Sequence, residues 1–254
     1  MRIDPNNKEI IILDDPEELA KKAVDIFIQS ARKSKDSKEI FNVAVSGGST
    51  PRRMHRLLAE EPYISYMPWG ILHLFWVDER CVSFYDKDSN YGAAKMDMID
   101  RVPLKEQQLH PMPVEMDPRA GASKYEDELI KHFRLKPGEF PEFDLIVLGV
   151  GEDGHTASLF PGQAALKESI KKVLAVKGGT PNVNRLTITF PVINRADKVM
   201  ILISGKKKAG IVRKILQERE ANLPVQRVQP KKGKLLWLLD GEAAFLMPKP
   251  SKSA

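Results

Sequence analysis

Two residues apart in a glycine-rich stretch, Asp153 and His155 of Gly149-Val150-Gly151-Glu152-Asp153-Gly154-His155-Thr156 pair a carboxylate with an imidazole. Histidine is the side chain whose ordinary pKa lies nearest neutrality, so an imidazole oriented or polarised by Asp153 suits general acid–base work. The stretch also matches GxGxxG, but it is not read as a dinucleotide fingerprint. That motif needs a helix directly after it and an acid closing a second strand. Here Pro161 and Gly162 interrupt any helix early, and Glu168 lies in polar sequence. His55, His73, His110 and His132 have no such setting and are read as structural.

Three further clusters carry charge or phosphate-binding potential. Ser46-Gly47-Gly48-Ser49-Thr50-Pro51 follows a β-rich run and opens a helical one. Its glycines allow close backbone approach, Ser49 or Thr50 can cap, and Pro51 fits a first turn, so N–H groups and hydroxyls converge at a positive helix end. Such an end binds anions, phosphate above all. A tight turn with an ordinary cap is the other reading. The loop lacks the lysine of a nucleoside triphosphate loop. Asp78-Glu79-Arg80, with Ser89-Asn90-Tyr91-Gly92 downstream, places a guanidinium where it could fork onto an oxyanion or phosphate; a self-neutralising surface cluster fits equally. Arg185, opening RLTITFP, and Lys208, in SGKKKAG, are further cations near a potential cleft. No GxSxG, HExxH or other metal-ligand spacing occurs, and no cofactor is indicated.

The elements that must hold these residues alternate along the chain. Apolar, β-branched runs at 9–13, 41–45, 72–77, 144–150, 185–190, 199–204 and 235–239 read as strands. Helical patterns lie at 16–33, 51–61, 89–101, 118–134 and 206–220. Near-continuous hydrophobicity suits strands covered on both faces. The pattern predicts an α/β fold with a doubly wound, largely parallel sheet and helices on both faces, as one domain over 1–246 with a loose tail at 247–254. Ligands bind such sheets at the carboxyl ends of the strands, and the clusters above all follow or flank predicted strands.

Composition narrows the partners. The 254 residues are 42% hydrophobic and 29% charged, enough for a full core. Pro68, Gly70 and His73 break the longest charge-free stretch, so no membrane span is expected, and the first residues do not resemble a secretory leader. One cysteine, Cys81, excludes an internal disulfide and suits a reducing compartment, with cytoplasm the default. A net charge of +6 favours anionic ligands. Basic residues are interleaved with acids and aromatics are only 7%, which argues against nucleic acid.

SGGSTP, DER with SNYG, GVGEDGHTASLFPG and NRLTITFPVIN, in this order over nearly the whole chain, resemble the 6-phosphogluconolactonase family. The resemblance implies metal-independent hydrolysis of 6-phosphoglucono-δ-lactone to 6-phosphogluconate, in the oxidative pentose phosphate pathway. It also implies a Rossmann-like fold similar to glucosamine-6-phosphate deaminase and ribose-5-phosphate isomerase. By position, His155 would activate water with Asp153 in support, and Arg80 would stabilise the oxyanion. Gly47, Gly48, Ser49, Thr50, Arg185 and Lys208 would hold the phosphate. The partner is then a small phosphorylated sugar lactone, the protein a monomer or homodimer. The alternatives are a deaminase-like isomerase and a non-catalytic sugar-phosphate binder. Phe160 stands where the deaminases carry a glutamate, and Arg80 where they carry tyrosine, which leaves a ring-opening proton relay incomplete.

Overall fold

In the computed structural model, residues 2–4, 8–218 and 222–247 are described. Strands β1 (Arg2–Asp4) and β2 (Lys8–Leu13) lead into α1 (Pro16–Lys38), whose Asp15 cap accepts the N–H groups of Glu17 and Glu18. Then come β3 (Phe41–Val45), α2 (Ser49–Leu58), α3 (Tyr63–Tyr66), β4 (Leu72–Trp76), β5 (Asp78–Arg80), α4 (Asn90–Asp97), β6 (Leu109–His110) and α5 (Pro118–Phe133). The remainder is β7 (Leu145–Leu148), β8 (Val173–Gly178), β9 (Val183–Ile188), α6 (Phe190–Ile193), β10 (Lys198–Ile203), α7 (Ala209–Gln217) and β11 (Lys234–Asp240).

Eight strands form one sheet in the order β1-β2-β11-β10-β7-β3-β4-β6, parallel throughout except for β1. From β3 the chain winds outward through β4 to β6; from β7 it winds the opposite way through β10 to β11. Right-handed crossovers therefore put α1, α2 and α4 on one face, and α5 and α7 on the other. The contacts agree: α1 packs on α2 and α2 on α4, whereas α5 lies against β8 and β9. The neighbours β3 and β7 are where the winding reverses, and a crevice opens beyond their carboxyl ends. Their residues are wholly buried, as continuous apolar runs require.

One strand falls elsewhere than expected. The run at 185–190 is not part of the parallel sheet; as β9 it pairs antiparallel with β5 and β8 in a separate three-stranded sheet. Apolar continuity reports burial, not strand direction. Its partner β8 lacked a signal because it is an edge strand, only partly buried and carrying exposed Lys177. The expected helix at 206–220 begins instead with a short 3-10 turn at Lys206–Lys208. Beyond Met247 the expected tail lies outside the described residues. Among the described residues no helix is long and apolar enough to cross a membrane.

Buried polar groups fix the strand ends that carry the site. Tyr125 on α5 receives the Trp76 N–H at 3.1 Å and donates to the Trp76 carbonyl at 3.3 Å, pinning the exit of β4. Asp240, ending β11, accepts Ser204 Oγ at 2.5 Å and the Gly205 N–H at 3.0 Å, fixing the turn that leads to Lys208. His55 keeps its structural reading: it is fully buried, and burial pushes it down to about 4, so it packs as a neutral ring.

Candidate active site

A cavity of about 590 Å³ opens at the carboxyl ends of β3, β7 and β10. Every residue singled out from the sequence lines it: His155, Asp153 and Arg80, then Gly47, Gly48, Ser49, Thr50, Arg185 and Lys208.

The β7 loop delivers the imidazole. Asp153 Oδ1 lies 2.5 Å from His155 Nδ1 and also accepts the His155 backbone N–H at 3.1 Å. Burial raises the Asp153 carboxyl, but the hydrogen bonds and charge of His155 outweigh it and hold the group below the usual carboxylate range. The ring is thus clasped at Nδ1, leaving Nε2 as the nitrogen able to exchange a proton with a ligand. Gly151 makes this possible, since a Cβ there would sit 2.1 Å from His155 Nδ1. On its other side the imidazole meets the Phe160 ring, centroids 4.7 Å apart.

The β3 loop delivers an open helix start. Gly48 precedes α2 at φ 97°, a left-handed conformation natural only to glycine, and no side chain caps the helix. Ser49 and Thr50 therefore do not cap, contrary to expectation; they lie inside the first turn. The free N–H groups and helix dipole face the cavity unsatisfied. Ser46 Oγ is buried beside them without a partner among the described residues. Gly47 is close under Asn90, whose Nδ2 donates to the Asp78 carbonyl at 2.8 Å.

Cations close the far wall. Arg80 and Arg185 stand opposite each other in the β5–β9 register. Arg185, only 3% exposed, donates through Nε to the Gly178 carbonyl at 2.8 Å and through Nη2 to the Pro181 carbonyl at 3.2 Å, and it lies over the Phe160 ring. Burial, then the charge of Arg80, lowers its proton affinity. Arg80 Nη1 donates to the Asp88 carbonyl at 2.5 Å, and its buried Nε has no partner among the described residues. Neither guanidinium is among the ion pairs of the described residues, so two like charges face each other, offset only from a distance by Asp78, Glu79 and Asp88. Lys208 is likewise unpaired there, with burial lowering its pKa against the opposing pull of Glu152 and Asp153.

Asp78, Ser46, Asn90 and Thr180 also line the cavity and were not assigned from the sequence. Asp78 and Asn90 belong to the DER and SNYG motifs, a usable signal; Thr180 arrives only through the β8–β9 turn and had none. Glu79 faces away and organises this corner. Its carboxylate accepts the N–H groups of Arg80 and Asn90 at 2.8 Å, that of Tyr91 at 2.6 Å, and Ser89 Oγ at 3.2 Å. Burial outweighs these bonds and pushes Glu79 up to about 7. A raised folded pKa means that the stability linked to this group is complete below the ordinary carboxylate range and is lost as pH rises through about 7. Glu79→Gln is expected to abolish that slope between about pH 4.5 and 7. Because the amide NH₂ turns a donor toward other donors, it should also lower stability by about 1–3 kcal/mol, as thermal unfolding across pH will report.

An uncapped helix start and a carboxylate-clasped imidazole sharing one cavity, at the switch point of a largely parallel sheet, characterise the class of α/β protein that this geometry defines. Residues 14–237 match the family model described as glucosamine-6-phosphate isomerases/6-phosphogluconolactonase, and the chain belongs to that family. It is 42% identical over 205 residues to the 6-phosphogluconolactonase of Synechocystis sp., covering 79% of this chain and 82% of the relative. The solved 6-phosphogluconolactonase from Trypanosoma cruzi superposes with a TM-score of 0.85 at 28% identity, covering 98% and 99% of the two chains. A monomeric glucosamine-6-phosphate deaminase shares the fold, with a TM-score of 0.79 at 21% identity over 94% and 99%.

Proposed function

We propose that residues 1–246 form one catalytic domain that hydrolyses 6-phosphoglucono-δ-lactone to 6-phosphogluconate without a metal, acting in the cytoplasm as a monomer or homodimer. The observation that carries this reading is the shared cavity: the Asp153-oriented imidazole opens onto the same space as an uncapped helix end and three cations. The partner is a small phosphorylated lactone; the lone Cys81 and the interleaved charges support the reducing compartment and argue against nucleic acid.

His155 Nε2 removes a proton from water as its oxygen bonds to the lactone carbonyl carbon. Asp153, kept ionised, stabilises the imidazolium that results. The carbonyl oxygen becomes an oxyanion facing Arg80, a cavity-lining guanidinium already held in place by the Asp88 carbonyl. The tetrahedral intermediate then collapses: the ring C–O bond breaks, and the departing oxygen takes the proton back from His155. Gly47, Gly48, Ser49, Thr50, Lys208 and Arg185 hold the phosphate, which fixes the ring for attack.

Phe160 disfavours the deaminase-like alternative. Its ring lies directly against His155, and a phenyl group cannot relay the protons that ring opening and isomerisation require.

Purified protein should hydrolyse freshly generated 6-phosphoglucono-δ-lactone well above the spontaneous rate, in the presence of chelator. Lys208→Ala should raise KM for this substrate by about tenfold, the loss of one charged hydrogen bond, and leave an unphosphorylated lactone unaffected. Equal losses on both substrates remove Lys208 from the phosphate. Tight binding of 6-phosphogluconate with no turnover establishes the non-catalytic binder instead.

A further inference from the structure

Three histidines that are far apart in the chain and were read singly as structural meet at the opposite end of the sheet from the cavity. His73 lies on β4, His110 on the two-residue edge strand β6, and His132 in the last turn of α5. One ring nitrogen from each lies within 4.8 Å of the other two. None lines the catalytic cavity. His110 is 8% exposed, and the other two are half-buried, so the group is sheltered yet reachable from solvent.

Their outward contacts select the nitrogens that remain. His110 Nδ1 is 2.7 Å from Glu128 Oε1, and His132 Nε2 is 2.8 Å from Asn42 Oδ1. Carboxylate and amide oxygens accept only, so each of these nitrogens carries the proton. The lone pairs then lie on His110 Nε2 and His132 Nδ1. His73 Nδ1 approaches His110 Nε2 to 3.0 Å. Imidazoles whose far N–H groups are tethered to oxygen acceptors are the usual arrangement around a bound metal, because the tether fixes the tautomer and the ring direction. Phe75 adds rigidity by stacking on His110 at 4.0 Å between centroids.

We propose that His73, His110 and His132 form a binding site for a borderline divalent cation, Zn²⁺ in particular, that clamps the β6 edge to β4 and α5. Neutral imidazoles suit Zn²⁺, and three of them leave a fourth position for water. Ligand nitrogens in a tetrahedral zinc site are about 3.3 Å apart, so closing on the ion asks a few tenths of an ångström of the His73–His110 pair and up to about 1.5 Å of His132, within reach of a side-chain rotation. Binding through His73 Nδ1 moves that ring's proton to its Nε2, by exchange with solvent, so all three ligands stay neutral imidazoles. It joins segments separated by long loops, and β6 otherwise has just two register pairs, Leu74 with Leu109 and Phe75 with His110. The site is structural and separate from the chemistry at His155.

The test is thermal unfolding of the full chain, stripped with chelator and then titrated with Zn²⁺, alongside visible absorption with Co²⁺ as a spectroscopic substitute. Wild type should bind one ion per chain, unfold about 5–10 °C higher at a hundredfold excess over Kd, and show the ligand-field bands of imidazole-bound cobalt. His155→Ala should keep both signals, which separates this site from the catalytic imidazole. His132→Ala and His73→Gln, each checked for folding in chelator, should lose them while retaining lactone hydrolysis. The cobalt spectrum is read on wild type, so it does not depend on either variant folding. Absence of the bands, or a Zn²⁺ shift that survives in both variants, overturns the site.

Discussion

His155→Ala is expected to lower kcat for 6-phosphoglucono-δ-lactone hydrolysis by about 10²–10⁴-fold, the range that general-base catalysis supplies. KM and the affinity for 6-phosphogluconate should change little, because the imidazole acts on water in the transition state and not on the phosphate. Folding should survive, since the ring is partly exposed and its bonds are to Asp153 within its own loop. Initial rates with the spontaneous reaction subtracted decide the matter. A kcat within a few-fold of wild type would remove His155 from the role of base and leave the cavity as an anion-binding site alone. Asp153 sharpens the expectation: its carboxyl is held below the usual range, so it stays ionised wherever the enzyme is assayed near neutrality, and it will not titrate in the rate profile there.

The second large effect is expected at Arg185. Replacing it with methionine keeps the buried stem and removes the fork. Affinity for 6-phosphogluconate should fall by about 10–100-fold, the equivalent of about 1.5–3 kcal/mol for hydrogen bonds to a charged group. Arg185→Lys should fall between, because a point charge survives while the planar fork is lost. The side chain also holds the Gly178 and Pro181 carbonyls, so the thermal midpoint must be measured beside the affinity. Calorimetric binding unchanged in the methionine variant takes Arg185 out of the phosphate site and leaves it as the brace of the β8–β9 turn.

The alternation of helical and β-branched runs was enough to place the parallel sheet, and strand-end reasoning led to His155, Asp153 and the glycine loop among the residues that line the cavity. That success has a physical basis: in a doubly wound sheet the ligand crevice lies just past the strands, so position in sequence translates into position in space. What escaped was built by pairing between distant segments. The antiparallel β5-β9-β8 sheet sets Arg80 against Arg185 and brings Thr180 over the cavity, yet β5 is three residues long and β8 a half-exposed edge. The triad of His73, His110 and His132 was invisible for the same reason. Each residue alone is an unremarkable histidine, and only the β4–β6 pairing with the end of α5 brings them together.

Gly48 has a consequence for the evolution of stability in this chain. A helix start closed by its own serine or aspartate gains about 1 kcal/mol, and α2 forgoes it. Any resident side chain that finished the first turn would reach into the volume the ligand must enter and satisfy the N–H groups the ligand must find. Random substitution and selection for heat resistance alone would therefore favour variants that plug their own catalytic mouth. At this position a capping side chain and the proposed phosphate seat exclude each other, so robustness and turnover are rivals there.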